Sequence, residues 1–146
     1  MKFSSKFNIL NLLFVLAIFS CQTNTQQTTK TTDTTTATQR VVDLTPTQFK
    51  AIAAKADNIV VLDVRTPKEV AQGVIPGAKV IDFYSDNFKV ELGKLDKSKT
   101  YMVYCKSGGR SSKACKALED AGISSYHNLK GGITAWNKAG LETVAK

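Results

Sequence analysis

Histidine and cysteine are scarce in this chain: one His and three Cys among 146 residues. Cys21 ends an apolar leader, which leaves Cys105, Cys115 and His127. Those three do not make a metal ligand set, so neither a metal nor another cofactor is expected. Two cysteines also exclude a disulfide-stapled scaffold, which would carry more. No apolar run reaches the roughly 20 residues that a membrane span needs. The leader's run, residues 9–19, is broken by Asn11. Acidic residues are outnumbered, 12 against 20 Lys and Arg, for a net charge of +8. That excess favours small anions and membrane surfaces. Nucleic acid is not implied, because no aromatic–basic clustering accompanies the charge.

Residues 1–20 read as an address. Lys2 and Lys6 precede the apolar run, as in a signal peptide. Ile18-Phe19-Ser20-Cys21 resembles the lipobox of bacterial lipoproteins, with Phe19 bulkier than the residue usual there. That likeness implies lipidation of Cys21 and a membrane anchor in the cell envelope, facing the periplasm. Several acyl chains would anchor it firmly, where one binds only marginally. Residues 21–39 are that cysteine and a Thr/Gln-rich stretch without apolar periodicity, expected to be a disordered tether. Residues 40–146 are left as one domain, expected to be monomeric.

Within that domain strands and helices alternate. Residues 40–44 read as a strand. Thr45 caps a helix with Pro46 at its first position, running through Phe49, Ile52, Ala53 and Ala56. Residues 58–64 are nearly continuous apolar, as in a parallel strand buried on both faces. A short helix follows from Thr66 to Gly73, then a Pro76-Gly77 turn and a strand over 78–83. Residues 86–93 read as a loop with a helical turn. A strand over 101–104, a helix reaching Gly122, a strand over 125–129 and a helix from Gly131 to near Gly140 complete the pattern. The expected class is α/β, a mainly parallel central sheet flanked by helices on both faces. Ligands of such sheets bind beyond the carboxyl ends of the strands, where Cys105 and Asp63 fall.

The chemistry concentrates in Cys105-Lys106-Ser107-Gly108-Gly109-Arg110, between a strand and a helix. Turn and first-turn N–H groups there converge into an anion cradle, and the helix dipole adds positive charge. Gly108 and Gly109 are both read as required by a turn that visits positive φ. A thiol in that field ionises below its ordinary value, and Lys106 and Arg110 strengthen the effect. Cys115 reads as packed and inert, with a resolving role open only if it lies within disulfide reach of Cys105. Trp136 reads as core and His127 as a satisfied structural residue.

Four stretches together resemble single-domain rhodaneses, which are sulfurtransferases. They are Leu62-Asp63-Val64-Arg65-Thr66-Pro67 with Glu69, Gly73-Val74-Ile75-Pro76-Gly77-Ala78, Tyr104-Cys105-Lys106-Ser107-Gly108-Gly109-Arg110-Ser111, and the stretch from Leu129 to Trp136. Val74 stands where the family usually has His. The resemblance implies that Cys105 is the nucleophile and carries sulfur as a persulfide. The donor would be thiosulfate or a related anion, and the acceptor cyanide or a thiol. The N–H groups from Lys106 to Arg110 would hold the anion, while Lys106 and Arg110 would attract the donor. Asp63 and Arg65 are expected to support the loop, with Arg65 able to pair with Glu69 four residues on. Three alternatives stand beside this: a partner-specific persulfide carrier, a phosphatase or arsenate reductase of the same fold, and a non-catalytic binding module. The phosphatases use five residues between Cys and Arg, where this chain has four.

Overall fold

The computed structural model describes residues 41–55 and 57–146. The leader over 1–20, Cys21, the tether, Arg40 and Ala56 lie outside the described residues. Five strands and five helices alternate: β1 (Val42–Leu44), α1 (Pro46–Ala53), β2 (Ile59–Asp63), α2 (Pro67–Val70), β3 (Lys79–Val80), α3 (Phe88–Gly93), β4 (Thr100–Tyr104), α4 (Gly109–Asp120), β5 (Tyr126–Leu129) and α5 (Gly132–Lys138). The strands form one sheet in the order β1-β5-β4-β2-β3, and every pairing within it is parallel.

Alternation along the central strands explains why helices cover both faces. In β4, Tyr101 and Val103 join one apolar cluster, with Leu118 of α4 and Phe88 and Leu92 of α3. Met102 and Tyr104 point the other way, into a cluster with Phe49 of α1, Val70 of α2 and Trp136 of α5. Successive strand side chains face opposite sides, so a strand buried on both must be apolar throughout. Trp136 is core as expected, edge-on to Phe49 at 6.1 Å, with its indole N–H donating to the Glu142 carbonyl.

Two boundaries matter for the site. β3 is two residues long, shorter than the six-residue strand expected, because β2 ends at Asp63 and offers no further ladder. Single bonds from Ile81 N–H to Asp63 O and from Phe83 N–H to Val64 O carry the chain on past it. α4 begins at Gly109, two residues earlier than the sequence pattern suggests. Arg110 and Ser111 therefore belong to the first turn of that helix.

Candidate active site

Cys105 continues the alternation of Tyr101 and Val103, so it leaves the end of β4 on the α4 side of the sheet. Its sulfur accepts the Gly108 N–H at 3.1 Å, and the Ser111 hydroxyl lies 3.4 Å away. Burial, which leaves the residue 1% exposed, opposes ionisation. Hydrogen bonds from the Ser111 hydroxyl and from the N–H groups of Ser111, Ser107 and Gly108 outweigh it and hold the thiol below its ordinary value. A buried thiolate is tolerable only when donors are aimed at it. Ser111 closes the loop stretch in the sequence but was given no role there. Its position in the first helical turn, facing back toward the strand end, was the available signal. Its single proton has a second acceptor in reach, the Gly108 carbonyl at 3.0 Å.

The loop's shape is held from outside. The first-turn amides of α5 have no partner within their own helix, and they bind the loop instead. Ile133 N–H donates to Cys105 O at 2.9 Å, while Thr134 donates from its N–H and its hydroxyl to Lys106 O at 3.1 and 2.9 Å. Across a trans peptide the N–H points opposite to the carbonyl. Turning these two carbonyls toward α5 therefore turns the N–H groups of Lys106 and Ser107 away from it. Gly132 permits the contact: at φ +57°, a Cβ there would strike the Cys105 and Lys106 carbonyls. Gly108 is likewise required, at φ +99° with Gly131 N only 3.2 Å from where a Cβ would lie. Gly109 corrects the expectation. Its φ is ordinary and open space surrounds its Cβ position.

The charged residues pair differently from the sequence reading. Arg65 does not take the Glu69 carboxylate. It turns to Asp63, with its Nη2 2.6 Å from Asp63 Oδ2 and both residues almost wholly buried. The Arg65 backbone N–H also donates to Asp63 Oδ1. The remaining guanidinium donors reach the carbonyls of Glu69 and Gly73, and the group lies over the Tyr104 ring. Asp63 thus locks the β2–α2 connection. Glu69 binds Arg110 instead, at 2.7 and 2.6 Å, and accepts from the Thr66 N–H and hydroxyl as well. Arg110 also lies over the exposed ring of Tyr84, 5.5 Å from its centre. Lys106 and Ser107 are exposed, and the Lys106 ammonium has no partner among the described residues.

Residues 45–139 match the family described as Rhodanese-like domain. The chain belongs to that family. A sulfurtransferase of Allochromatium vinosum is 37% identical over 92 residues, covering 63% of this chain and 84% of that protein. Thiosulfate sulfurtransferase 16 of Arabidopsis thaliana, a chloroplastic protein, is 36% identical over 94 residues, 58% of this chain and 78% of its own. The crystal structure of a rhodanese-like domain protein from Staphylococcus aureus matches with a TM-score of 0.61 at 33% identity, covering 72% of this chain and all of that one. The all-parallel five-stranded sheet with helices on both faces is this rhodanese-like fold.

The other reactive candidates stand outside the rhodanese-like site. Cys115 is fully buried on α4 and unbridged, and burial, helped by the charge of Asp43, pushes its thiol up to about 12. His127 lies in β5, and burial lowers its pKa. Its Nδ1 has no hydrogen-bond partner among the described residues, so it is not the satisfied histidine expected. Val74 exchanges two backbone bonds with Val144, which fastens the C-terminal segment across the start of the Ile75–Ala78 turn.

Proposed function

We propose that this protein is a sulfurtransferase that carries a sulfane sulfur on Cys105. The observation that carries the reading is the Cys105 sulfur itself, buried yet aimed into donors from Ser107, Gly108 and Ser111. The thiolate attacks the outer sulfur of thiosulfate or a related donor. The donor's S–S bond breaks, sulfite leaves with the electron pair, and a new S–S bond leaves Cys105 as a persulfide anion. An acceptor, cyanide or a thiolate, then attacks the outer sulfur and Cys105 departs as thiolate. Two displacements through one covalent intermediate give ping-pong kinetics. The amides around Cys105 stabilise the charge in both, since they are fixed before the reaction and need not reorganise. A pre-ionised thiolate requires no general base, so Val74 in place of His is no obstacle.

The Glu69–Arg110 pair speaks against phosphoryl chemistry in this loop. Both carboxylate oxygens already occupy the guanidinium fork that a phosphate would need. A dedicated persulfide carrier would use the same Cys105 cradle and differ only in its choice of partners.

The envelope location is part of the same proposal. The charged start, the apolar run over 9–19 and the Ile18-Phe19-Ser20-Cys21 stretch support a lipid anchor on Cys21 and a domain facing the periplasm. Fractionation of cells carrying Cys21→Ala tests it; the variant should leave the membrane fraction, and its retention there would refute the anchor.

The activity is tested by mixing purified full-length protein with thiosulfate and cyanide and measuring thiocyanate, beside Cys105→Ser. Thiocyanate from the parent alone, with one added sulfur on Cys105 by mass spectrometry, is the expected result. Equal turnover in the serine variant would remove Cys105 from the reaction.

A further inference from the structure

Asn128 of β5 is 3% exposed, and its side chain reaches the Cys105 loop. Its amide nitrogen donates to Asp43 Oδ1 at 2.7 Å and to the Gly108 carbonyl at 3.4 Å. Asp43 is its register partner on β1, and a carboxylate only accepts, so it fixes which end of the amide is the donor. The amide oxygen is buried and has no hydrogen-bond partner among the described residues. An orphaned buried acceptor costs about 1–3 kcal/mol. An apolar side chain would avoid that cost, so the residue is accounted for by what it donates.

Three donors converge on the Gly108 carbonyl. The Ser112 N–H closes the first turn of α4 on it at 3.0 Å, Asn128 reaches it at 3.4 Å, and the Ser111 hydroxyl lies 3.0 Å away. A carbonyl oxygen has two lone pairs, and a hydroxyl has one proton. Ser112 and Asn128 occupy both lone pairs. The Ser111 proton is then left for the Cys105 sulfur, 3.4 Å away, whose full charge as a thiolate makes it the stronger acceptor. Without Asn128, one lone pair of the nearer carbonyl is free to compete for that proton.

We propose that Asn128 is a positioning residue, which commits the only Ser111 proton to the Cys105 sulfur by filling the second lone pair of the Gly108 carbonyl. The inference rests on Cys105 as the sulfur carrier and adds a residue that sets its state from another strand. Cys105 is the attacking group in the first displacement and the leaving group in the second. A donor committed to its thiolate raises the reactive fraction in one and eases departure in the other.

The test is the pH midpoint of Cys105 alkylation by iodoacetamide in the full-length protein, in Asn128→Leu, in Ser111→Ala and in the double variant. Leucine keeps the branched shape of asparagine and removes its donors. Its midpoint should rise by about 0.5 to 1 pH unit, the size of one hydrogen bond. The double variant should rise no further than Ser111→Ala alone, because Asn128 acts through that hydroxyl. Around these residues stand Arg110 of α4, with Glu69 of α2 and Tyr84 against it, Lys106 beside Cys105, and Asp43 of β1 with Cys115 of α4 facing it. All of them are present in every variant, so their fields cancel in the comparison. An unchanged midpoint in Asn128→Leu, or a further rise in the double variant, would overturn the proposal.

If Asn128→Leu does not fold, the unsubstituted protein decides. Protonation of the sulfur returns the Ser111 hydroxyl to the Gly108 carbonyl, so the Asn128 side-chain amide, followed by nitrogen-15 NMR, should shift with the Cys105 midpoint. An amide signal that stays flat through that midpoint would overturn the proposal. Neither measurement uses a sulfur donor, which separates this inference from the reading it rests on. Thiocyanate formed by the unsubstituted protein, with no midpoint shift in Asn128→Leu, overturns the role of Asn128 alone. A midpoint shift without thiocyanate or a Cys105 persulfide overturns the sulfurtransferase reading and leaves Asn128 as the residue that directs the Ser111 proton.

Discussion

Arg110 and Glu69, 41 residues apart, are joined through two hydrogen bonds of 2.7 and 2.6 Å, one to each carboxylate oxygen. The pair ties the first turn of α4 to α2, and so ties the Cys105 loop to the β2–α2 connection. It also neutralises one of the two cations that the loop's own sequence supplies. The positive character of the cradle then falls to backbone amides, the α4 dipole and Lys106.

Glu69→Gln should lower stability by about 1 kcal/mol at neutral pH, the scale of a partly exposed ion pair. The Arg110 hydrogen bonds hold the Glu69 carboxyl down at about 2, against burial and with help from Thr66. A folded-state pKa depressed in this way gives stabilisation that is complete above about 4.5 and lost as pH falls through about 2. Urea unfolding of both proteins across that window should show the difference narrowing toward acid. A gap that stays constant would mean the carboxylate charge is not its origin.

The Cys105 thiol should be alkylated by iodoacetamide with a pH midpoint below that of a free thiol. Ser111→Ala removes the hydroxyl donor, the strongest of the hydrogen bonds favouring the thiolate. Its midpoint should move up, and its rate at neutral pH should fall. Cys115, raised to about 12 and fully buried, should react only after unfolding. An unchanged midpoint in Ser111→Ala would assign the thiolate to the backbone amides alone.

The two glycines of the loop should behave oppositely. Gly108→Ala places a side chain at φ +99° against Gly131 N and should cost about 1–3 kcal/mol, with loss of turnover as the cradle shifts. Gly109→Ala meets open space at an ordinary φ in a helical turn, and should be neutral or stabilising by up to about 1 kcal/mol. Thermal unfolding of the two variants checks this; equal losses would refute it.

Asp63→Asn should be the most damaging of the conservative substitutions. It leaves the Arg65 guanidinium, only 3% exposed, without its counter-charge. Removing one partner of a buried pair costs about 3–5 kcal/mol, mostly the penalty of the charge left behind. Urea unfolding reads this directly, and a loss below about 1 kcal/mol would mean that Arg65 finds other compensation.

What the sequence by itself determined is local. A nearly continuous apolar run, 58–64, with Asn58 and Asp63 its only polar residues, marked a strand covered on both faces. Thr45 before Pro46 set the start of α1, and Gln48 closes the cap by accepting from the Thr45 N–H. A cysteine between a strand and a glycine turn had to sit at the strand's carboxyl edge. Each of these depends on dihedral preference and periodicity over a few residues, which the chain carries wherever it folds. The partners of the charged groups were not legible in this way. Arg65 and Glu69 stand four apart, a spacing that favours pairing on a helix. Only Glu69 lies within α2, and Arg65 precedes it, so the guanidinium turned back to Asp63 and the carboxylate was left for Arg110. That second choice, and the clamp of Gly132, Ile133 and Thr134 on the Cys105 loop, exist because the order β1-β5-β4-β2-β3 sets β4 between β2 and β5. The loops after those three strands meet at one edge, and contacts among them span tens of residues that no local pattern connects.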